Sequence, residues 1–280
     1  MERSNISNSL PVDDSFVVRS DGFLPEMCRF TKLKGGVILF CFKGWADILI
    51  DLKKYRVSGN TQVILLPRTV LRVEGVSPDF DMFSFRFSAD MFREVCLRME
   101  PSFFRFLKEN PCYSVPTHNM GMINGFISYS RAAYADSENR FRLKIAKNCL
   151  QNFILDVYDK CYRYFTRQQI EGRGRRDKVF NDFATLIREH CVLQREVTFY
   201  ADKLCISAKY LTDICRSVTG HPAKRVIDDF VVLEIKVLLQ SSELSVQEIA
   251  DKLGFPDQSY LGRYFKRHEG VSPKAFRERY

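Results

Sequence analysis

Histidine is scarce in this chain: there are four in 280 residues. The first, His118, comes only after the stretch that reads as β-strands. A histidine-ligated metal enzyme in the N-terminal half is thereby disfavoured, because such a site needs imidazoles and a carboxylate converging from neighbouring strands. No metal and no cofactor are expected. Nor is there a C-x-x-C pair. Nine cysteines, an odd number, lie scattered from Cys28 to Cys215, which fits reduced buried thiols and not a disulfide framework or zinc site. Long apolar runs are missing too: VILFCF (37–42) falls far short of the ~18 residues a membrane span needs. The opening MERSNISNSLPVDDS lacks the basic-then-apolar order of a secretory leader. A cytoplasmic protein with no membrane partner is the expectation.

What is plentiful is material for a core. The chain is 45% hydrophobic with 24 phenylalanines, and its length suits two domains. The net charge of +9, from 43 basic and 34 acidic residues, suits a polyanionic partner without identifying one. The excess is spread along the chain, so local placement matters more: Arg263, Lys266, Arg267, Lys274, Arg277 and Arg279 gather near the C-terminus.

After a polar tail to about Ser15, five segments read as strands: Val37–Phe42, Ala46–Leu52, Gln62–Leu66, Leu71–Val76 and Asp81–Phe87. They are rich in Val, Ile and Phe and are bounded by Gly35-Gly36, Gly44, Ser58-Gly59-Asn60, Pro67 and Pro78. In the last of them Met82, Ser84, Arg86 and Ser88 share one face, with Phe83, Phe85 and Phe87 on the other. Short strands at even spacing predict a sandwich or small barrel over about 15–116. Such a barrel either holds a small molecule or is packed solid. Trp45, the only tryptophan, and Tyr55 serve either to stack on a ligand or to pack as core or rim.

Helices are predicted at Ala89–Met99, Phe103–Lys108, Asn119–Tyr134 and Phe141–Phe165, the third weakened by Gly121 and Gly125. In the longest, Leu143, Ala146, Leu150, Phe153 and Val157 alternate by three and four, a short heptad-like seam. That seam packs either on its own barrel or against a second copy of the chain. Gly172 to Lys178, two glycines among charges, reads as a flexible linker whose arginines reach phosphates or simply stay solvated. Val179 to Cys191, with Phe180, Phe183, Ala184 and Ile187 inward, then opens a C-terminal helical domain.

The most informative stretch is Ser245 to Arg279. Ser245 followed by Glu248 is an S-x-x-E capping box, so a helix starts there. Ile249, Ala250 and Leu253 lie on one face, and Gly254 stands where a helix needs a left-handed terminator. Pro256 precludes continuing it, and Asp257 caps a second helix. On that helix Leu261, Tyr264, Phe265 and His268 fall on one side; Gln258, Ser259, Gly262, Arg263 and Lys266 fall on the other. Two short helices meeting at a glycine turn, the second polar and basic on its free face, follow the plan of a DNA-reading helix-turn-helix.

A second copy lies upstream in TFYADKLCISAKYLTDICRSVTG (198–220). Ala201 matches Ala250, Leu204 matches Leu253 and Leu211 matches Leu261. Ser207 and Asp257 cap the two second helices; Gly220 and Gly270 follow them. The free face of the upstream helix carries Ala208, Lys209, Thr212, Asp213 and Arg216. Between the copies, His221-Pro222 breaks the chain, and a helix to about Gln240 follows with Val226, Ile227, Phe230, Leu233, Val237 and Leu238 inward. Major-groove faces on one side of B-DNA recur about every 34 Å. Two units on one linker helix therefore suit two adjacent groove segments.

At these residues the sequence resembles the AraC/XylS family of bacterial transcription regulators. The signature is Ser207, Tyr210, Leu211 and Gly220 in the first unit. In the second it is Glu248-Ile249-Ala250, Leu253-Gly254-Phe255, Phe265-Lys266, Gly270 and Ser272-Pro273, the whole spanning roughly Val197 to Arg279. The resemblance implies a seven-helix domain whose second helix in each unit enters the groove. Carried over residue by residue, Lys209, Thr212 and Asp213 are reading positions in the first unit; Gln258, Ser259, Gly262 and Arg263 are those of the second. Tyr210, Arg216 and Lys266 complete the candidate DNA-binding set. Where many members have arginine and alanine on the linker helix, this chain has Val231 and Ile235. The resemblance also implies a cupin-like barrel at the N-terminus, RNA polymerase and a small-molecule effector as further partners, and a homodimer through the 141–165 helix.

The expected fold is thus α+β: a cupin-like barrel or sandwich with a helical dimerisation segment, then an all-α double helix-turn-helix domain. The expected domains are a regulatory domain over 1–171 (barrel about 15–116, helices 119–167), a linker over 172–178 and a DNA-binding domain over 179–280. The leading function is sequence-specific transcription regulation, not catalysis. An enzyme housed in the barrel is a second reading, but Cys28, Cys41 and Cys96 have no histidine in the barrel sequence to activate them. A protein-interaction module, with the helical units contacting protein, is a third.

Overall fold

The computed structural model describes residues 16–20, 25–96, 99–116, 119–166, 169–170 and 174–278. His118, residues 172–173 of the predicted linker and Arg279 lie outside them. The chain divides into two compact units: Met1–Cys28 with Lys32–Thr166, and Arg29–Thr31 with Arg167–Tyr280.

The first unit is built on nine strands: β1 (Phe16–Arg19), β2 (Thr31–Lys32), β3 (Gly36–Lys43), β4 (Trp45–Ile50), β5 (Lys53–Ser58), β6 (Thr61–Leu65), β7 (Val70–Val76), β8 (Asp81–Phe87) and β9 (Cys112–Ser114). They form two sheets, ordered β1-β8-β3-β6-β9 and β2-β7-β4-β5, in which every recorded pairing of β1, β3, β4 and β6 is antiparallel. Alternation decides which side chains fill the interior. Along β3, Val37, Leu39 and Cys41 join a core with Ile48, Val63 and Met82. Ile38 and Phe40 point the other way and are equally buried.

Helices α1 (Ala89–Val95), α2 (Pro101–Glu109), α3 (Met120–Ala135) and α4 (Arg142–Tyr164) follow. The Phe83–Phe85–Phe87 face of β8, read correctly as one face, is covered by them and not by water. Phe85 lies 5.3 Å from Phe126 of α3, and Phe126 lies 4.7 Å from Phe153 of α4, centroid to centroid. Helix α3 persists despite Gly121 and Gly125, whose missing side chains would meet nothing within 4 Å. Burial of Ile123, Phe126 and Ile127 offsets the ~1 kcal/mol that each glycine costs.

The seam on α4 is used within the unit. Ala146, Leu150, Phe153 and Val157 are buried, and only Leu143 is exposed. These side chains are therefore not a free surface for a second copy. Trp45 stands outside the barrel, with Arg56 stacked 4.6 Å from its ring, and Tyr55 packs against the core. Of the two roles open to this pair, packing is the one the geometry supports.

The second unit includes seven helices: α5 (Arg175–His190), α6 (Val197–Lys203), α7 (Ala208–Thr219), α8 (Ala223–Ser241), α9 (Val246–Lys252), α10 (Gln258–Glu269) and α11 (Pro273–Glu278). Helix α5 begins at Arg175, not Val179, so Arg175–Lys178 form its first turn and not the end of a linker. Helix α8 is buried on nearly every side. Val226, Ile227, Leu233 and Val237 are inward as predicted, but so are Val231, Val232, Ile235 and Leu239, while Phe230 and Leu238 are only partly covered. Branched residues at 231 and 235, the departures from the family pattern, are thus core. Residues Arg29–Thr31 complete this unit: the Phe30 N–H donates to Gln240 Oε1 at 2.8 Å, and its ring lies 6.4 Å from Phe276.

Candidate nucleic-acid interface

Each half of the helical unit repeats one local construction. In the first, α6 ends in a turn where the N–H groups of Cys205 and Ile206 donate to Asp202 O and Ala201 O. In the second, α9 ends where Gly254 and Phe255 donate to Asp251 O and Ala250 O. Small residues Ala201 and Ala250, both fully buried, allow the following helix to cross closely. The side chains of Ser207 and Asp257 accept from the N–H of Tyr210 and Tyr260, capping α7 and α10. The predicted capping box of α9 is complete: Ser245 Oγ accepts from Glu248 N–H, and Glu248 accepts from Ser245 N–H. Both α7 and α10 span 12 residues and stop at a left-handed glycine, Gly220 and Gly270.

The buried faces of α7 and α10 comprise Leu211, Ile214 and Cys215, and Leu261, Tyr264 and Phe265. What remains free is the candidate reading surface. On α7, Lys209, Asp213 and Arg216 are exposed, while Tyr210 and Thr212 are half-buried. On α10, Gln258, Ser259, Arg263 and Lys266 are exposed and Gly262 is half-buried. Asp213 lies 3.6 Å from Arg216, and both side chains are more than half exposed, so a phosphate can displace this pair at little cost. The Thr212 hydroxyl donates to Ala208 O at 2.9 Å, leaving it only lone pairs for a partner. A Cβ at Gly262 would meet nothing within 4 Å, so glycine there keeps a gap on the free face.

Sequence reading overlooked Tyr260, which is exposed and lies 5.9 Å from the Arg263 guanidinium. Its place in the first turn of α10, where its N–H donates to the capping Asp257, was the available signal. Asp228 on α8 was also overlooked. It is buried, accepts from Tyr264 Oη at 2.8 Å and faces Lys224 at 3.4 Å, tying the linker helix to α10. Burial raises the Tyr264 phenol, and the Asp228 carboxylate raises it further.

Among the described residues of the N-terminal barrel no group of three or more metal-ligating side chains occurs. Burial raises the Cys41 thiol to about 11 and the Cys96 thiol to about 12, so neither is a thiolate nucleophile near neutral pH. A pocket lined by Leu39, Ile48, Leu71 and Met82 with Arg19 and Arg86 holds about 10 Å³, room for about one water. No described helix is long and apolar enough to cross a membrane.

Residues 200–279 match the helix-turn-helix domain family. The same region is similar to curated regulators. The arabinose operon regulatory protein of Escherichia coli K12 is 28% identical over 82 residues, which is 29% of this chain and 28% of that protein. The Msm operon regulatory protein of Streptococcus mutans is 35% identical over 78 residues, 28% of each. The chain thus spans under a third of the length of these relatives. Among solved structures, ToxT of Vibrio cholerae aligns with 95% of this chain and 98% of its own, at 14% identity and a TM-score of 0.49. The DNA-binding domain of AdpA, solved with a target DNA, aligns with 36% of this chain and 91% of its own, at 30% identity and a TM-score of 0.33.

Proposed function

We propose that this chain, whose C-terminal unit carries an AraC-type double helix-turn-helix domain, is a sequence-specific DNA-binding transcription regulator. The observation that carries the reading is the repeat itself: two capped 12-residue helices, each apolar below and polar above, joined through one buried helix. Lys209, Gln258, Arg263 and Lys266 are exposed, and none belongs to the buried face of its helix. Their placement is explained by a ligand.

In this proposal Lys209, Tyr210, Thr212, Asp213 and Arg216 face one major-groove segment. Gln258, Ser259, Gly262, Arg263 and Lys266 face the next. Phosphate contacts from lysine and arginine supply most of the affinity, with strong salt dependence. Gln258 suits adenine N6 and N7, Arg263 suits guanine O6 and N7, and Asp213 suits cytosine N4. The N-terminal unit is the regulatory half, and an effector entering its barrel has to widen the small pocket between Leu39, Ile48, Leu71 and Met82. A homodimer, if α4 takes part, uses its exposed side (Leu143, Leu155) and not the buried seam. RNA polymerase is the expected further partner, and the cytoplasm the expected location.

The deciding experiment is selection of bound duplexes from a random DNA pool with the full-length chain. A two-part motif supports the reading, and a repeat of that motif reports a dimer. Recovery of no enriched motif, with binding insensitive to salt, removes DNA reading altogether.

A further inference from the structure

The turn between α9 and α10 is held by a residue from outside its own helix pair. Arg195 lies in the loop between α5 and α6, just ahead of the first reading unit. Its guanidinium donates to the carbonyl oxygens of Leu253 and, at 3.4 Å, Gly254, as well as to Val192 O at 3.0 Å. The same plane stacks on Phe255 with Cζ 3.8 Å from the ring centroid. Leu253 and Gly254 carry carbonyls at the end of a short helix, where intrahelical partners run out. A planar fork satisfies two such oxygens while lying flat on an aromatic ring, which an ammonium cannot do.

The approach is close by construction. Gly254 has φ +65°, and a Cβ there would sit 3.2 Å from Leu193 Cδ2 of the same loop. The Arg195 carbonyl oxygen in turn accepts from Lys224 Nζ at 3.0 Å. Lys224, on α8, faces Asp228, and Asp228 holds the Tyr264 hydroxyl of α10. Arg195 therefore joins the entry of the first unit, the linker helix and the turn of the second unit in one polar chain.

We infer that Arg195 is a positioning residue that sets the spacing between the two DNA segments the domain reads. The inference rests on the DNA-reading function proposed above. Arg195 is half-buried behind the turn and acts through the backbone of Leu253 and Gly254, not by touching a base. One inserted base pair moves the second segment by about 3.4 Å along and about 35° around the duplex axis. A domain whose halves are locked together cannot follow that displacement. One whose lock is removed can.

The test uses the full-length chain and duplexes carrying the selected two-part site, with one base pair inserted or deleted between the parts. For the unaltered chain, either change is expected to weaken binding about tenfold or more, comparable to one lost base contact. Arg195→Met keeps a stem over Phe255 but no fork. With it the penalty for altered spacing is expected to shrink to about two- to threefold, while sequence preference within each part persists. Arg195→Lys is expected not to restore the spacing penalty. A folded Arg195→Met protein with the original spacing profile overturns the inference and leaves DNA reading intact. Restoration by lysine overturns the role assigned to the planar fork. If Arg195→Met does not fold, Arg195→Lys, which keeps the charge but lacks the fork, takes its place, and the original spacing profile there overturns the inference equally. Absence of any sequence preference in the unaltered chain instead refutes DNA reading itself.

Discussion

Cys205 and Gly254 occupy the same place in two copies of one turn, and both backbones are left-handed, with φ of 54° and 65°. Only the second copy has the residue that this conformation favours. A Cβ in the left-handed region costs about 1–2 kcal/mol, partly offset because glycine also loosens the unfolded chain. Cys205→Gly is therefore expected to stabilise the helical unit by about 0.5 kcal/mol. Gly254→Ala is expected to destabilise it by at least about 1 kcal/mol, since Leu193 adds a close contact to the backbone strain. Denaturant unfolding of the two variants checks this. Changes of the same sign in both would mean that the turns are not equivalent.

The two basic residues on α10 are expected to differ in kind. Arg263→Ala should cost about 1–3 kcal/mol on a selected site and relax preference at one position. Lys266→Ala should weaken cognate and random duplexes alike and reduce the salt slope by about 1. Titrations on both duplexes at several salt concentrations separate the roles. An equal loss on both duplexes for Arg263→Ala would make it a phosphate contact.

Much of this interface was legible because local rules and tertiary demands agree there. Ser245 with Glu248 names a capping box, Gly270 names a stop, and the spacing of Leu261, Tyr264 and Phe265 names a buried face. The barrel was less legible. Strand β5 opens with Lys53 and Lys54 and forms the edge of its sheet, where charge blocks further pairing, so its composition does not read as strand. Strands β1, β2 and β9 are two to four residues long and form only through distant partners, such as Phe16 opposite Phe87. The α4 seam stays ambiguous in the sequence for a related reason. Spacing shows that Ala146, Leu150, Phe153 and Val157 share a face, but only packing shows that α3 and the sheet already cover it. Phe30 and Arg195 carry no local signal, because their partners lie about 210 and 58 residues away.

Acid should weaken the helical unit through His268. Its Nε2 lies 4.0 Å from Asp228 Oδ2, and its Nδ1 lies 3.5 Å from the Arg225 guanidinium. Burial pushes the imidazole below its ordinary 6.5. Asp228 and Asp229 pull it up; Arg225 and Arg267 push it down. The unfolded chain thus binds the proton first as pH falls. This group's contribution to stability is present above about 6.5 and is lost as pH falls through that value towards the folded pKa. His268→Gln should flatten the dependence between pH 7 and the folded pKa. A wild-type stability that rises on acidification from about 7 to 6 would contradict the sign.

Thiol chemistry tests the packing of both units at once. Among the nine cysteines, Cys28 and Cys205 are exposed. Burial raises Cys41 to about 11 and Cys96, Cys112, Cys161 and Cys215 to about 12. At pH 8 a thiol of pKa 12 is ionised to about one part in 10⁴, against roughly a quarter for an unperturbed cysteine. Its attack on a disulfide reagent is slowed by that fraction and again by lack of access. Two thiols are therefore expected to react promptly in the native protein, with Cys149, half-buried and also raised, following more slowly. The remainder should react only on unfolding, in step with the loss of helical signal. Peptide mapping after a brief pulse identifies the sites. Prompt labelling of Cys41 would mean that the barrel interior opens readily, and prompt labelling of Cys215 would mean that α7 is not seated on the linker helix.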